Sequence, residues 1–385
     1  MKIAVLGPSA PYRGGIAHHN NMLVRSLRER GHVVDMITFS RQYPAFLYPG
    51  AFQEERGREF EDIRAERLLD SMNPFGWRRV AAEIAGRDYD LVINRFWIPL
   101  FGYMFGTIAR RLGGGTRGGR VLTIVDNLLP HESRPGDRWL TRFQFRYCNG
   151  AITQSGTVSR QFAEQFPEIP EGLIPHPVYE HFGKPIRRDV ARRQIGIGEG
   201  PVLLFFGFVR KYKGLDLLLE AMPAILGRVP EVRLLVVGEY FDDQSEYSRI
   251  IDRLGIATHV DVVDRYIPNE EVPVWFSAAD LLVLPYRSAT NSGIVQIGYN
   301  FSLPSIVTDV GSLSEVVVDG HSGIVVPDAS PDTLADAVAR GLQEGMPERL
   351  REGIAEERKK YTWSEFARRL EEFAGRVVSE PRSPE

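Results

Sequence analysis

One stretch of this 385-residue chain has the residue types to grip an anion: Val202 to Gly214, VLLFFGFVRKYKG. Arg210, Lys211 and Lys213 supply positive charge, and Gly207 and Gly214 bracket them. The apolar run before Gly207 predicts a buried parallel strand, and LDLLLEAMPAIL after Gly214 has apolar residues at helical spacing. Strand, tight basic loop and helix in that order can hold a diphosphate, because the cations and the helix N-terminus both face it. A solvated basic turn is the bland alternative.

Two further clusters carry chemistry. The loop PSAPYRGGIAHHNN follows a first strand, Lys2 to Leu6, and brings Gly14 and Gly15 to the start of a helix spanning Ile16 to Arg30. It is not the GxGxxG dinucleotide fingerprint, but paired glycines let a ligand approach a helix N-terminus. The other cluster is Asp126-Asn127 followed by Pro130-His131-Glu132, just past a strand over Arg120 to Val125. In an open α/β sheet, polar residues beyond a strand's C-terminal end are candidate site residues. Asp126 and His131 could form an acid/base pair or merely cap a helix.

The elements that must position these groups alternate strand and helix twice. The first half predicts strands at Lys2 to Leu6, His32 to Thr38, Asp90 to Asn94, Arg120 to Val125, Ala151 to Gln154 and Leu173 to Pro177. A helix follows at Gly156 to Phe166, and Tyr43 to Glu61 reads as a long surface loop. RFWIPLFGYMFGTIARR, ending at Arg110 and Arg111, reads as core or as an amphipathic membrane-touching helix. The charged, glycine-containing stretch from Lys184 to Gly200 reads as a linker. The second half predicts strands at Val202–Phe206, Arg233–Val237, Val260–Val263, Leu281–Leu284, Ser305–Thr308 and Ile324–Val326, with helices between them. An amphipathic helix, roughly Ser364 to Val378, lies outside that alternation. Two alternating halves in tandem mean two doubly wound sheets facing each other across a cleft.

Composition narrows the class. Apolar residues at 43% and charged residues at 25% describe a soluble globular protein, and the length predicts two domains. The single cysteine, Cys148, excludes a disulfide framework and fits a reducing compartment. No His/Cys cluster has zinc spacing, the N-terminal apolar run is too short for a signal peptide, and no window is long enough to span a membrane. Net charge is −3, unevenly spread: residues 1–180 carry 23 Lys+Arg against 19 Asp+Glu, and the remainder 24 against 31. A basic first half, unless it arises by chance, suits an anionic partner there, either a phosphorylated acceptor or a lipid surface.

Taken together, these segments resemble the retaining family 4 glycosyltransferases of GT-B fold, over nearly the whole chain. FFGFVRKYKGLDLLLEA is similar to the family's donor-diphosphate loop, which implies that Arg210 and Lys213 hold the phosphates. RYIPNEEVPVWFSAADLLVLPYR is similar to the segment whose backbone reads the nucleobase, which implies Arg265, Tyr266 and Ile267 near the base. LPSIVTDVGSLSEVV resembles a run ending in a glutamate, here Glu315. Gly14-Gly15 matches the paired-glycine loop, and Asp126 stands where many members carry a histidine. The closing TWSEFARRL resembles the family's final helix, which returns to the first domain.

One departure stands out. The family carries two glutamates eight apart, for sugar and ribose, whereas RSATNSGIVQIGYNFSLP contains none. Gln296 lies near the second position, and Thr290, Asn291 and Ser292, followed by Gly293, lie near the first. An amide can still bond ribose hydroxyls, without a carboxylate's charge-assisted strength.

The resemblance implies an acceptor-side Rossmann-like domain over residues 1–184, completed by the helix at about 362–380, and a donor-binding domain over 185–361. It implies retaining, metal-independent transfer of a sugar, of hexosyltransferase type, in cell-surface glycan or glycolipid biosynthesis. The nucleotide-diphosphate sugar is a co-substrate and no cofactor is required. Asp126 and His131 would then orient the sugar and a glycan or lipid-linked acceptor. No nucleic acid is expected as partner. The expected location is cytoplasmic, free or peripheral at the inner face of a membrane. Alternatives are a GT-B epimerase or inverting transferase, or a non-catalytic nucleotide-binding descendant.

Overall fold

A computed structural model of the protein describes residues 1–12, 14–43, 60, 62–113, 120–128, 135–289 and 293–379. His131, Thr290, Asn291, Ser292 and almost all of the expected Tyr43 to Glu61 loop therefore lie outside the described residues. The chain divides into two compact units, Met1–Pro175 with Trp363–Glu385, and His176–Thr362. The division, between Pro175 and His176, falls nine residues ahead of the expected boundary at 184/185.

In the first unit seven strands form one sheet. They are β1 (Lys2–Leu6), β2 (Val33–Arg41), β3 (Ala65–Asp70), β4 (Leu91–Phe96), β5 (Arg120–Val125), β6 (Gly150–Thr153) and β7 (Glu171–Leu173). Their order is β3-β2-β1-β4-β5-β6-β7, and every pairing is parallel. The short run KIAVL shows why a continuous apolar stretch serves here. Ile3 and Val5 enter a core shared with the Gly15–Glu29 and Trp363–Ser379 helices, while Ala4 and Leu6 enter the opposite core with Trp77, Phe101 and Phe105. The closing helix thus completes this unit's core, with Trp363, Phe366, Leu370 and Phe373 all buried.

The second unit has six parallel strands. β8 (Val202–Phe206), β9 (Arg233–Val237), β10 (Val260–Val263), β11 (Leu281–Leu284), β12 (Ser305–Thr308) and β13 (Gly323–Val326) run in the order β10-β9-β8-β11-β12-β13. Central β8 is buried on both faces: Leu204 and Phe206 pack into one core, Leu203 and Phe205 into the other. Both orders reverse at the first strand of the unit, the pattern of a doubly wound nucleotide-binding sheet.

Three features differ from the sequence reading. Edge strand β3 and the Pro74–Ala85 helix were not anticipated. The stretch read as a linker contains the helix Arg188–Gln194, whose buried Arg192 bonds Asp280 at 2.8 Å and the Ala278 and Gly200 carbonyls. Leu173 to Pro177, read as the last strand of the first half, is instead β7 at Glu171–Leu173.

Candidate active site

The basic loop leaves β8 at Gly207, which sits at φ +97°. It remains zipped to the chain leaving β9: Gly207 donates to the Val237 carbonyl, Val209 to Glu239, and Phe241 to Val209, at 2.9, 2.9 and 3.1 Å. Gly238 permits this approach, since a Cβ there would stand 2.3 Å from the Gly207 oxygen. Arg210 precedes a single turn, Lys211–Lys213, and Gly214 at φ +70° then starts the Leu215–Arg228 helix. Only glycine fits at 214, because a Cβ would lie 2.1 Å from the Pro285 oxygen. Arg287 braces the loop from β11's side, donating to the Lys211 carbonyl and, through both arms, to Asp216 at 2.7 and 2.6 Å.

This scaffold separates the two expected phosphate cations. Arg210 is exposed, its guanidinium 4.6 Å from the Phe241 ring centroid, and Phe241 packs edge-on against Phe208. Lys213 is turned inward and only 7% exposed. Its Nζ would lie 3.2 Å from a Cβ at Gly207, and Ile294 of the Gly293–Asn300 helix approaches the same point to 3.3 Å. Among the described residues Lys213 Nζ has neither a carboxylate nor a hydrogen-bond acceptor. Burial, then the charge of Arg210, pushes its pKa down to about 8. The site is therefore a strand end, a buried cation, an exposed cation and the start of a helix around one glycine.

Gln296, on that helix, is 2% exposed, and its Oε1 has no hydrogen-bond partner among the described residues. Gly293 leaves room for Tyr179, whose ring edge would be 2.7 Å from a Cβ there. Tyr179 Oη in turn lies 3.1 Å from His176 Nε2. Neither His176 nor Tyr179 was singled out from sequence, although HPVYEHFG clusters ring residues ahead of the second unit. Arg265 pairs with Glu271, Tyr266 is 38% exposed and Ile267 is in the core. The Ile267 N–H and carbonyl find no partner among the described residues.

In the first unit Gly14, at φ +108°, sits at the N-terminus of the Gly15–Glu29 helix, and nothing lies within 4 Å of where its Cβ would be. Asp126 follows β5 as expected, but its carboxylate accepts from both Nε and Nη2 of Arg95, which is 2% exposed. Arg95 also donates to Asn20 at 3.1 Å and to Gln154 at 3.3 Å, and Gln154 bonds His19 at 2.9 Å. Asn20 closes the network on the Pro8 carbonyl. Sequence reasoning missed this network. Its signal was HHNN, four polar residues on the helix after Gly14-Gly15, all of them buried.

Comparison with known proteins agrees with this geometry. Residues 13–179 match the family described as Glycosyltransferase Family 4, and residues 200–344 the one described as Glycosyl transferases group 1. The chain is 32% identical over 344 residues, 84% of each chain, to a GDP-mannose-dependent alpha-(1-6)-phosphatidylinositol monomannoside mannosyltransferase of Mycolicibacterium smegmatis. It is 27% identical over 289 residues to a D-inositol 3-phosphate glycosyltransferase of Segniliparus rotundus, covering 71% of this chain and 63% of that one. In fold it is similar to Anabaena HepE in complex with UDP, with a TM-score of 0.75 at 16% identity over 98% of this chain and all of the other.

Proposed function

Because the chain belongs to the family 4 glycosyltransferases, with the two Rossmann-like domains of the GT-B fold, we propose that it transfers a sugar, with retention, from a nucleotide-diphosphate donor held in the second unit. The observation that carries this reading is Lys213, a buried ammonium with no counter-charge among the described residues. An anionic group arriving at the Gly207 strand end would supply it. Arg210 at the surface and the start of the Gly293–Asn300 helix would meet the same anion.

The chemistry follows from that placement. The bond from the anomeric carbon to the phosphate oxygen breaks, and its electron pair leaves with the diphosphate. The acceptor hydroxyl oxygen bonds to the same face of that carbon, and its proton passes to the departing phosphate oxygen. Negative charge is greatest on the leaving group, so Arg210 and Lys213 act chiefly in the transition state and stand in for a metal. Ile267, with its open backbone groups, is assigned to the base, and Gln296 to the ribose. The backbone at Gly14 and Gly15 is assigned to the donor phosphates. Asp126, held by Arg95, is assigned to orienting the sugar, together with His131. The acceptor assigned is a glycan or a lipid-linked molecule of cell-surface glycan or glycolipid biosynthesis, met at the cytoplasmic face of a membrane.

The test is calorimetric titration with UDP and GDP, followed by transfer or donor hydrolysis with a panel of nucleotide sugars. Arg210→Ala should reduce kcat by about 10²–10³-fold with little change in melting temperature. Full activity in a folded Arg210→Ala, Lys213→Ala protein would overturn the proposal.

A further inference from the structure

The first unit carries a surface that nothing in the donor chemistry uses. Three helices, Pro74–Ala85, Gly102–Gly113 and Asp137–Phe145, follow β3, β4 and β5 and pack side by side. Packing is close: a Cβ at Gly102 would stand 2.5 Å from the Leu140 oxygen, and one at Gly106 would stand 2.6 Å from the Phe143 ring. Across them runs a continuous row of rings. Trp77 meets Tyr103 at 5.5 Å, Tyr103 meets Trp139 and Phe143 at 5.8 and 5.1 Å, and Phe143 meets Tyr147 at 5.5 Å.

Several of these side chains face solvent. Phe75 is 86% exposed, Trp139 58% and Tyr103 41%, and they are the exposed aromatic residues of this unit among those described. Leu100 and Met72, just ahead of two of the helices, are 47% and 50% exposed. Each of these five lies in the first turn of a helix or just before it. In a parallel sheet that is the edge where the strands end, the edge that also holds Gly14 and Asp126. Arg138 lies beside Trp139 in the first turn of its helix, and Arg78, Arg79, Arg110, Arg111, Arg142 and Arg146 follow one to two turns beyond the exposed residues; all seven are exposed. None has a carboxylate partner among the described residues, and the three helices contain only Glu83 and Asp137 against them. Glu83 is already engaged by Arg87 at 2.6 Å.

We propose that this three-helix face docks on an anionic phospholipid surface, the exposed rings entering the interface and the arginines meeting the lipid phosphates. The charge pattern argues for that occupant over a second copy of the chain, whose equal array of arginines would repel it. Apolar rim and unpaired arginines together match the two terms of peripheral binding, insertion and attraction to anionic headgroups. The arrangement puts the acceptor-side sheet edge at the membrane, so it rests on the transferase reading and narrows the acceptor to a lipid-anchored molecule.

The experiment is vesicle flotation of the full chain, with phosphatidylcholine vesicles with and without phosphatidylglycerol, at low and high salt. Binding should require phosphatidylglycerol and fall with salt. Arg110→Ala, Arg111→Ala and Arg142→Ala, each worth about fivefold, should together weaken binding about 100-fold. Trp139 fluorescence should be quenched by brominated lipid, and Trp139→Phe should remove that quenching while the melting temperature holds. Equal binding to neutral vesicles, no binding at low salt, an unaffected triple variant or self-association through this face would each overturn the proposal. UDP and GDP titration on the same proteins separates the two readings. Nucleotide binding without vesicle binding sinks only the docking face, and vesicle binding without nucleotide binding sinks only the transferase.

Discussion

Replacing Lys213 by methionine should make the protein more stable and less able to bind a nucleoside diphosphate. The two side chains are of similar length, so the cavity beside Gly207 stays filled. What changes is a buried charge. Burial lowers the Lys213 pKa from 10.5 to about 8, which is about 3 kcal/mol of penalty on the charged form in the folded protein. The sign follows from linkage. Below pH 8 folded and unfolded chains both hold the proton, and the penalty is fully present. Between pH 8 and 10.5 only the unfolded chain holds it, so this group's contribution to stability rises with pH across that window. At neutral pH Lys213→Met should therefore raise the melting temperature by roughly 5–10 °C, to be read by calorimetry. Over the same substitution the dissociation constant for UDP or GDP should rise about 10–100-fold, as for a lost hydrogen bond to a charged group. A pH series adds a signature that a structural lysine would not give. Wild-type affinity should fall about tenfold per pH unit above pH 8, where binding must take up a proton, and the variant's profile should be flat there. A destabilised Lys213→Met protein, or one with unchanged affinity and the wild-type pH profile, would refute the reasoning.

Other expectations are narrower. Gln296→Ala should weaken nucleotide affinity by roughly 1 kcal/mol, read by calorimetry, if the buried Oε1 faces a ribose hydroxyl. Phe241→Ala removes the ring under Arg210 and should lower kcat by several-fold, about 0.5–1 kcal/mol, while Phe241→Tyr restores it. Asp126→Ala leaves the Arg95 guanidinium buried without its carboxylate and should cost about 3–5 kcal/mol of stability in denaturant unfolding, so transfer rates must be compared on folded protein.

How much of this was legible in sequence depends on burial. Strands such as VLLFF and KIAVL are covered on both faces, so they appear as uninterrupted apolar runs. β3, AERLLD, lies at a sheet edge with only Leu69 fully buried, and its two charges on one side masked it. The Pro74–Ala85 helix did carry a signal, Asn73 capping at Gly76 N with proline in the first turn, inside a stretch that otherwise reads as polar. The Arg188–Gln194 helix looked like a linker because Arg192 and Asp280, 88 residues apart, neutralise one another only once folded. The same holds for the candidate site. RKYKG announces cations, but not that one of them turns inward. The aromatic run before Arg110 and Arg111 reads two ways because it serves two environments: Met104, Phe105, Ile108 and Leu112 are core while Tyr103 and both arginines are exposed. Arg95 was hidden by its setting, a charge in a fully buried strand whose partners come from the Gly15–Glu29 helix, Asp126 and Gln154.

Buried cations give the sharpest internal comparison. Among the described residues three cationic side chains of lysine or arginine are buried: Arg95, Arg192 and Lys213. Arg95 has Asp126, Asn20 and Gln154. Arg192 has Asp280 and three carbonyls. Each arginine is thus compensated by a carboxylate and by neutral acceptors, as a charge removed from water must be if the fold is to tolerate it. Lys213 has neither, in a loop that Arg287 and Asp216 hold with two short bonds and that glycines at 207, 214 and 238 bring into close packing. A mobile surface lysine would leave such a place by rotating outward, at the cost of a few rotamers. This one is confined beneath Gly207 by Ile294 and by the Tyr286 ring, 5.9 Å from its Nζ. Close packing and the Arg287–Asp216 pair fix the loop where it holds this charge, and among the described residues no carboxylate compensates it. A donor diphosphate would therefore be bound by a cation already desolvated and already in position, so that little ordering is left to oppose binding. A diphosphate bound there would leave Arg210, exposed over the Phe241 ring, to meet the outer phosphate oxygens.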